Sequence, residues 1–326
     1  MQRLRSSLVI VSLALLASAC SNSELPSPVP EAHAATPAPL PLPEPEPVWE
    51  SKVELLVDPS SQVEALEQVG LDGPVAALHD PAADVYLVAN LPRSGAPAFI
   101  TSVLPDGTVE SARWIDGASK EAPLGQPAAM ALVRNRLIVS DGQHLRVFDR
   151  QSGAYRASIH VPTSYRLSDV AIGARGEVFV TDSGVTESGR FGTVFRVGVR
   201  GGVSAIAHSS VLGRPTGIVT DGSQAWIAAR EPVSFYAVAP SGRLVHGASP
   251  PVDGELSGMV KADDQVVFSS LAHRTLFAGP VQGPFTPIAT SVDVSGDLGW
   301  DASRRRLLVP CAEGDRLELH PLPPAS

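Results

Sequence analysis

Four aspartates carry the residue type and placement from which chemistry could be built: Asp141, Asp169, Asp182 and Asp297. Carboxylates converging from separate segments can hold a hard divalent cation, which takes several oxygen ligands. The same groups can instead accept backbone N–H bonds and pin turns. Asp141 and Asp182 end short apolar runs (RLIVSD, VFVTD), which favours the turn-pinning role. Asp169 and Asp297 occupy equivalent places in two related segments, LSDVAIG and GDLGWD, and both roles stay open for them. Other catalytic templates find little support. His79, His144, His160, His208, His246, His273 and His320 show neither HxH nor HExxH spacing, so transition-metal chemistry has no obvious ligand set. No GxSxG elbow and no phosphate-cradling glycine loop with its lysine is present.

The elements that would position these acids are written six times. Each copy opens on an apolar run: PVAALHD (Pro74–Asp80), PAAMALV (Pro127–Val133), LSDVAIG (Leu167–Gly173), PTGIVTD (Pro215–Asp221), LSGMVKA (Leu256–Ala262) and GDLGWD (Gly296–Asp301). Their starts stand 53, 40, 48, 41 and 40 residues apart, a period that suits a four-stranded propeller blade. Short apolar strands separated by turns such as Pro105-Asp106-Gly107, with no long 3.6-residue period, predict an all-β chain. The expected fold is a six-bladed β-propeller with four-stranded blades. The sixth copy ends at Pro321, Pro323 and Pro324 without an outer strand. Lys52–Val57 (KVELLV) is expected to supply it and close the ring, removing an exposed edge. Ser60–Gly70 is expected to be a helical turn or a loop.

Upstream, Arg3 and Arg5 precede the apolar stretch Leu8–Leu16 and the triplet Ala17-Ser18-Ala19 before Cys20. A basic start, a short apolar core and small residues describe a secretory signal, with too few apolar residues to span a bilayer. The triplet ending at cysteine resembles a bacterial lipobox. That resemblance implies residues 1–19 as signal peptide, lipidation (palmitate among the acyl groups) at Cys20 and a membrane anchored to the chain there. Ser21 after the cysteine, in place of Asp, points the sorting to the outer membrane, facing the periplasm. Residues 20–50, dense in proline and alanine, read as an extended tether, and 51–326 as the propeller. The net charge of −9 argues against nucleic acid or an anionic membrane surface as partner. Of two cysteines, Cys20 is assigned to lipid, so Cys311 is expected to be a buried thiol without a disulfide.

The phrases DPAADVYLVAN (Asp80–Asn90), LPDGTV (Leu104–Val109), RLIVSDG (Arg136–Gly142), LSDVAIGARGEVFVTD (Leu167–Asp182) and GDLGWDASRRRLLVP (Gly296–Pro310) resemble the SMP-30/gluconolactonase/LRE-like propellers, which share such phrases with NHL-like repeats. The nearer likeness is to their secreted bacterial lipoprotein branch. The resemblance implies a lactonase holding a divalent cation at the channel mouth through Glu, Asn and Asp. Carried onto this chain, those positions fall on Val75, Thr216 and Ser257, and the family's substrate-binding Asn-Asp pair on Ser168-Asp169. Both anionic ligands are thereby lost. The expected role is therefore binding, with no cofactor: a small ligand, a cell-wall component or an envelope protein held by Asp169, Asp297, Asp182, Asp141, Thr216 and Ser257. The alternative is a cation-dependent lactonase or esterase, which would need calcium or zinc.

Overall fold

Blade one is cut by its turns. Asp80 ends the first strand by accepting the N–H groups of Ala82 and Ala83 at 2.9 and 3.3 Å. At the next hairpin Asp106 accepts from Thr108 at 2.9 Å, and Gly107 takes φ 89°, where a side chain would be strained. The strands between are apolar and two-sided: Val85–Asn90 and Phe99–Val103 are buried throughout. The outermost, Val109–Asp116, is largely open to solvent.

This grammar repeats in a computed structural model that describes residues 63–322 apart from 121–122, 187–188, 191, 222–223, 231–232, 240 and 253. After β1 (Glu64–Leu66), blade one is β2 (Pro74–Asp80), β3 (Val85–Asn90), β4 (Phe99–Val103) and β5 (Val109–Asp116). Blade two is β6 (Pro127–Val133), β7 (Arg136–Asp141), β8 (His144–Asp149) and β9 (Tyr155–His160). Blade three is β10 (Leu167–Ile172), β11 (Val178–Asp182), β14 (Gly192–Val197) and β15 (Val203–Ser209), with a small hairpin, β12 (Val185–Thr186) and β13 (Gly189–Arg190), inserted. Blade four is β16 (Pro215–Asp221), β17 (Gln224–Arg230), β18 (Val233–Val238) and β19 (Leu244–His246). Blade five is β20 (Leu256–Ala262), β21 (Gln265–Ser270), β22 (Thr275–Gly279) and β23 (Thr286–Thr290). Blade six is β24 (Gly299–Asp301), β25 (Arg306–Cys311) and β26 (Arg316–Pro321), with β1 as its outer strand. The protein is a six-bladed all-β propeller of four-stranded antiparallel sheets. Its one helical turn among the described residues is a 3-10 turn at Ser210–Leu212.

The outer strand of blade six differs from expectation. Glu64, Ala65 and Leu66 pair antiparallel with Leu319, Glu318 and Leu317. Three residues of the segment read as a loop or helical turn, Glu64–Leu66, are thus a strand, while Lys52–Val57, like Cys20 and the tether, lies outside the described residues. Leu66 packs into an apolar cluster with Leu317 and Leu319, which explains the docking of so short a strand.

The core is divided into wedges rather than gathered into one mass. Buried clusters sit between blades one and two, two and three, three and four, four and five, five and six, and six and one. Polar bonds reinforce the last of these junctions. Tyr86 Oη donates to the fully buried Asp301 at 2.7 Å and accepts from Arg306 Nε at 2.7 Å. Ion pairs also cross between blades one and two (Asp80–Arg150), four and five (Asp221–Lys261) and five and six (Asp263–Arg305). Cys311 is fully buried and its thiol is pushed up to about 12 by burial.

Candidate site at the channel mouth

The innermost strand of each blade carries the residues that face the central channel. In β2, β6, β10, β16 and β20 the pairing with the second strand slips at the second or third residue. Such a bulge locally re-aims side chains. Third positions around the ring are Ala76, Ala129, Asp169, Gly217, Gly258 and Asp297, so two acids stand three blades apart among four small residues. The small residues are imposed by space: at Gly258, φ is 51° and a Cβ would lie 2.5 Å from the Gly296 carbonyl oxygen.

Second positions tie blades together. Ser168 Oγ donates to the Pro215 carbonyl at 2.7 Å, and Thr216 Oγ1 to the Leu256 carbonyl at 2.9 Å. Ser295, at the first position of blade six, reaches the Pro74 carbonyl at 2.5 Å. The hydroxyl of Thr216 is thus already engaged in joining blade four to blade five.

A cavity of about 200 Å³ opens at the starts of these strands. It brings together Val75, Thr216 and Ser257, where the resemblance placed the cation ligands, with Ser168 of the substrate-binding pair and Asp297, the repeat equivalent of Asp169. Sequence reasoning missed its other residues: Arg166, Arg214 and Arg230 also line it. Arg166 and Arg214 each stand one residue before a blade opening, and that shared offset was the available signal. Arg230 closes β17 and forms an ion pair with Glu255. Backbone bonds hold the arginine-bearing loops. The Arg166 N–H donates to Asp182 Oδ1 at 2.7 Å, and the Arg230 N–H to the Arg214 carbonyl at 2.9 Å.

Asp182 also accepts from the Tyr165 N–H at 3.0 Å, so its carboxylate fixes the loop entering blade three. Asp141 does the same for blade two, accepting from Gly125 and Gln126 N–H at 2.9 and 2.5 Å and from Arg146 Nε at 2.7 Å. Neither carboxylate lines the mouth cavity. Asn90 takes the corresponding place in blade one, accepting from the Asp72 N–H at 3.0 Å.

Asp169 and Asp297 form the waist of the channel. A second cavity, of about 460 Å³, lies along the later residues of the inner strands, including Leu78, Ile172, Thr220 and Trp300. Asp297 lines both cavities, Asp169 only the second. Asp169 accepts N–H bonds from Ile218 and Val170, each at 2.6 Å. Asp297 is buried and accepts from Leu298 and Met259, yet its Oδ1 has no hydrogen-bond partner. Burial raises the protonation range of both acids, and the charge of Asp169 adds to the shift at Asp297. Both shifts favour the protonated form, so the pair carries less negative charge into the channel than two free carboxylates would.

Among the described residues no three His, Cys, Asp or Glu side chains come together as a metal-binding group. The mouth offers instead an aliphatic side chain, hydroxyls and guanidinium groups, a donor set that does not suit a hard divalent cation.

The arrangement defines a six-bladed β-propeller with hydroxyl groups and arginines at its channel mouth. In fold the chain is similar to a gluconolactonase from Xanthomonas campestris, described as important in glucose secondary metabolic pathways, with 19% identity, a TM-score of 0.61, and coverage of 80% of this chain and 90% of that one. It is likewise similar to a solved putative gluconolactonase, with 16% identity, a TM-score of 0.60, and coverage of 80% and 92%. No family model matches the chain, and no curated protein matches it significantly.

Proposed function

We propose that the protein is a ligand-binding propeller tethered in the bacterial envelope, presenting its channel mouth to a small molecule, a cell-wall component or an envelope partner. The observation that carries the binding role is the lining of the mouth. Where a lactonase of this architecture would place its Glu, Asn and Asp cation ligands, this chain has Val75, Thr216 and Ser257, so both anionic ligands are replaced, and three arginines line the same cavity. Positive charge there opposes a divalent cation and favours an anionic or hydrogen-bonding guest. The tether rests on the basic start, the short apolar core and the Ala-Ser-Ala-Cys20 boundary, which together describe an acylated envelope protein. An outer-membrane location follows from Ser21.

A thermal-shift panel on the full chain tests the role. Saturable stabilisation by a small molecule is expected from mass action. Millimolar Ca²⁺ or Zn²⁺ should give no shift, and lactone hydrolysis should stay at the buffer rate. Cation-dependent lactone turnover, abolished by a chelator, would replace this reading with the hydrolase. Mass spectrometry of the purified chain, looking for diacylglycerol and acyl mass on an N-terminal Cys20, tests the anchor.

A further inference from the structure

The mouth cavity holds an unusual combination: several cationic side chains at its lining and a buried carboxyl oxygen at its floor with nothing to bond. Arg166 is exposed, and its guanidinium has no hydrogen-bond or ion-pair partner among the described residues. Its backbone is fixed by Asp182, so the side chain springs from a set position. Arg230, half-buried, spends part of its guanidinium on Glu255, while its Nε is buried and unpartnered. Arg214 adds a third positive group to the same lining. At the floor, Asp297 is 8% exposed and its Oδ1 lacks a partner. Unpaired buried polar atoms are costly, and two at one cavity call for a guest that satisfies them. The planar guanidinium fork matches a carboxylate or phosphate, whose oxygens accept two parallel bonds.

We infer that the channel mouth is a binding site for a small hydroxylated organic anion, its oxyanion held by Arg166 and Arg230 and its hydroxyl end directed to Ser257 and Asp297. The inference rests on the binding role proposed above and names the ligand's chemical class. A cavity of about 200 Å³ limits the guest to a handful of heavy atoms. Asp182, by fixing the loop that carries Arg166, is a positioning residue for this site.

Isothermal titration of the full chain with glycerate, glycerol 3-phosphate and glycerol tests the inference. At least one of the two anions should bind saturably, more weakly at higher salt, while glycerol should not bind at the same concentration. Whichever anion binds tighter identifies the carboxylate or phosphate source. Arg166→Gln should weaken that anion about tenfold to a hundredfold, the range for losing a charge-assisted hydrogen bond. Arg196→Gln, an exposed position on β14 away from the mouth, should leave it unchanged. Arg166→Gln without effect on affinity overturns the site even if an anion binds. Failure of both anions overturns the ligand class. Binding of glycerol in that case keeps the binding role alive, whereas failure of every small molecule, here and in the thermal panel, removes both.

Discussion

Replacing Asp297 by Asn should make the propeller more stable as pH rises, and the gain should grow with pH. The carboxyl accepts N–H bonds from Leu298 and Met259 and keeps one oxygen unpartnered. Asparagine preserves size, its carbonyl can take over the accepted bonds, and its amide occupies the unpartnered place as a permanent donor. Burial, with the neighbouring charge of Asp169, raises the folded carboxyl well above 3.8. A raised acid binds its proton more tightly in the native state. Its contribution to stability is therefore complete below about 3.8 and is lost progressively as pH climbs toward the folded value. Each pH unit in that window costs about 1.4 kcal/mol. From pH 5 to pH 7 the wild type should therefore lose stability progressively relative to Asp297→Asn through this one group. Urea unfolding of both full chains at pH 5, 6 and 7 measures the difference directly. A difference that stays flat across those values would mean that the waist carboxyl is already ionised in the native protein, and the reasoning about a proton-holding pair fails.

Other expectations concern the scaffold. Tyr86→Phe removes the hydroxyl that links Asp301 to Arg306 at the junction of blades six and one. It should cost about 1–3 kcal/mol, seen as a lower unfolding midpoint in urea at unchanged m-value. An unchanged midpoint would show that the junction does not depend on that bond. Gly258→Ala places a Cβ 2.5 Å from the Gly296 carbonyl oxygen at φ 51°, and should destabilise by about 1–3 kcal/mol or more in the same assay. Cys311, buried with a thiol pushed up to about 12, should resist iodoacetamide at pH 8 in the folded chain and react readily in urea. Rapid native labelling would place it at an accessible surface instead.

The blade pattern was legible because each inner strand opens on an apolar run and each hairpin is marked by Asp, Pro and Gly, signals that act locally. Pro74–Asp80 and Pro215–Asp221 come out as β2 and β16 with the boundaries read from sequence. Glu64–Leu66 escaped notice because its strand character depends on β26, more than 240 residues away, and on one half-buried leucine; nothing local distinguishes it from a loop. The mouth was half legible. Equivalent positions in a repeat pointed to Val75, Thr216, Ser257 and Asp297 as neighbours, and they do line one cavity. The bond from Thr216 to Leu256 and the placement of Arg230 beside Glu255 depend on how adjacent blades meet, which spacing along the chain does not encode. Asp141 and Asp182 show the converse case: a carboxylate at a strand end looks alike as ligand or as turn pin until its N–H donors are located.

Asp297 belongs to the walls of two chambers at once. Whatever gives up or takes a proton on one side of that partition alters the electrical potential on the other. A guest seated among the arginines would thus rest against the same carboxyl that borders the deeper chamber, one side chain serving as the wall of both.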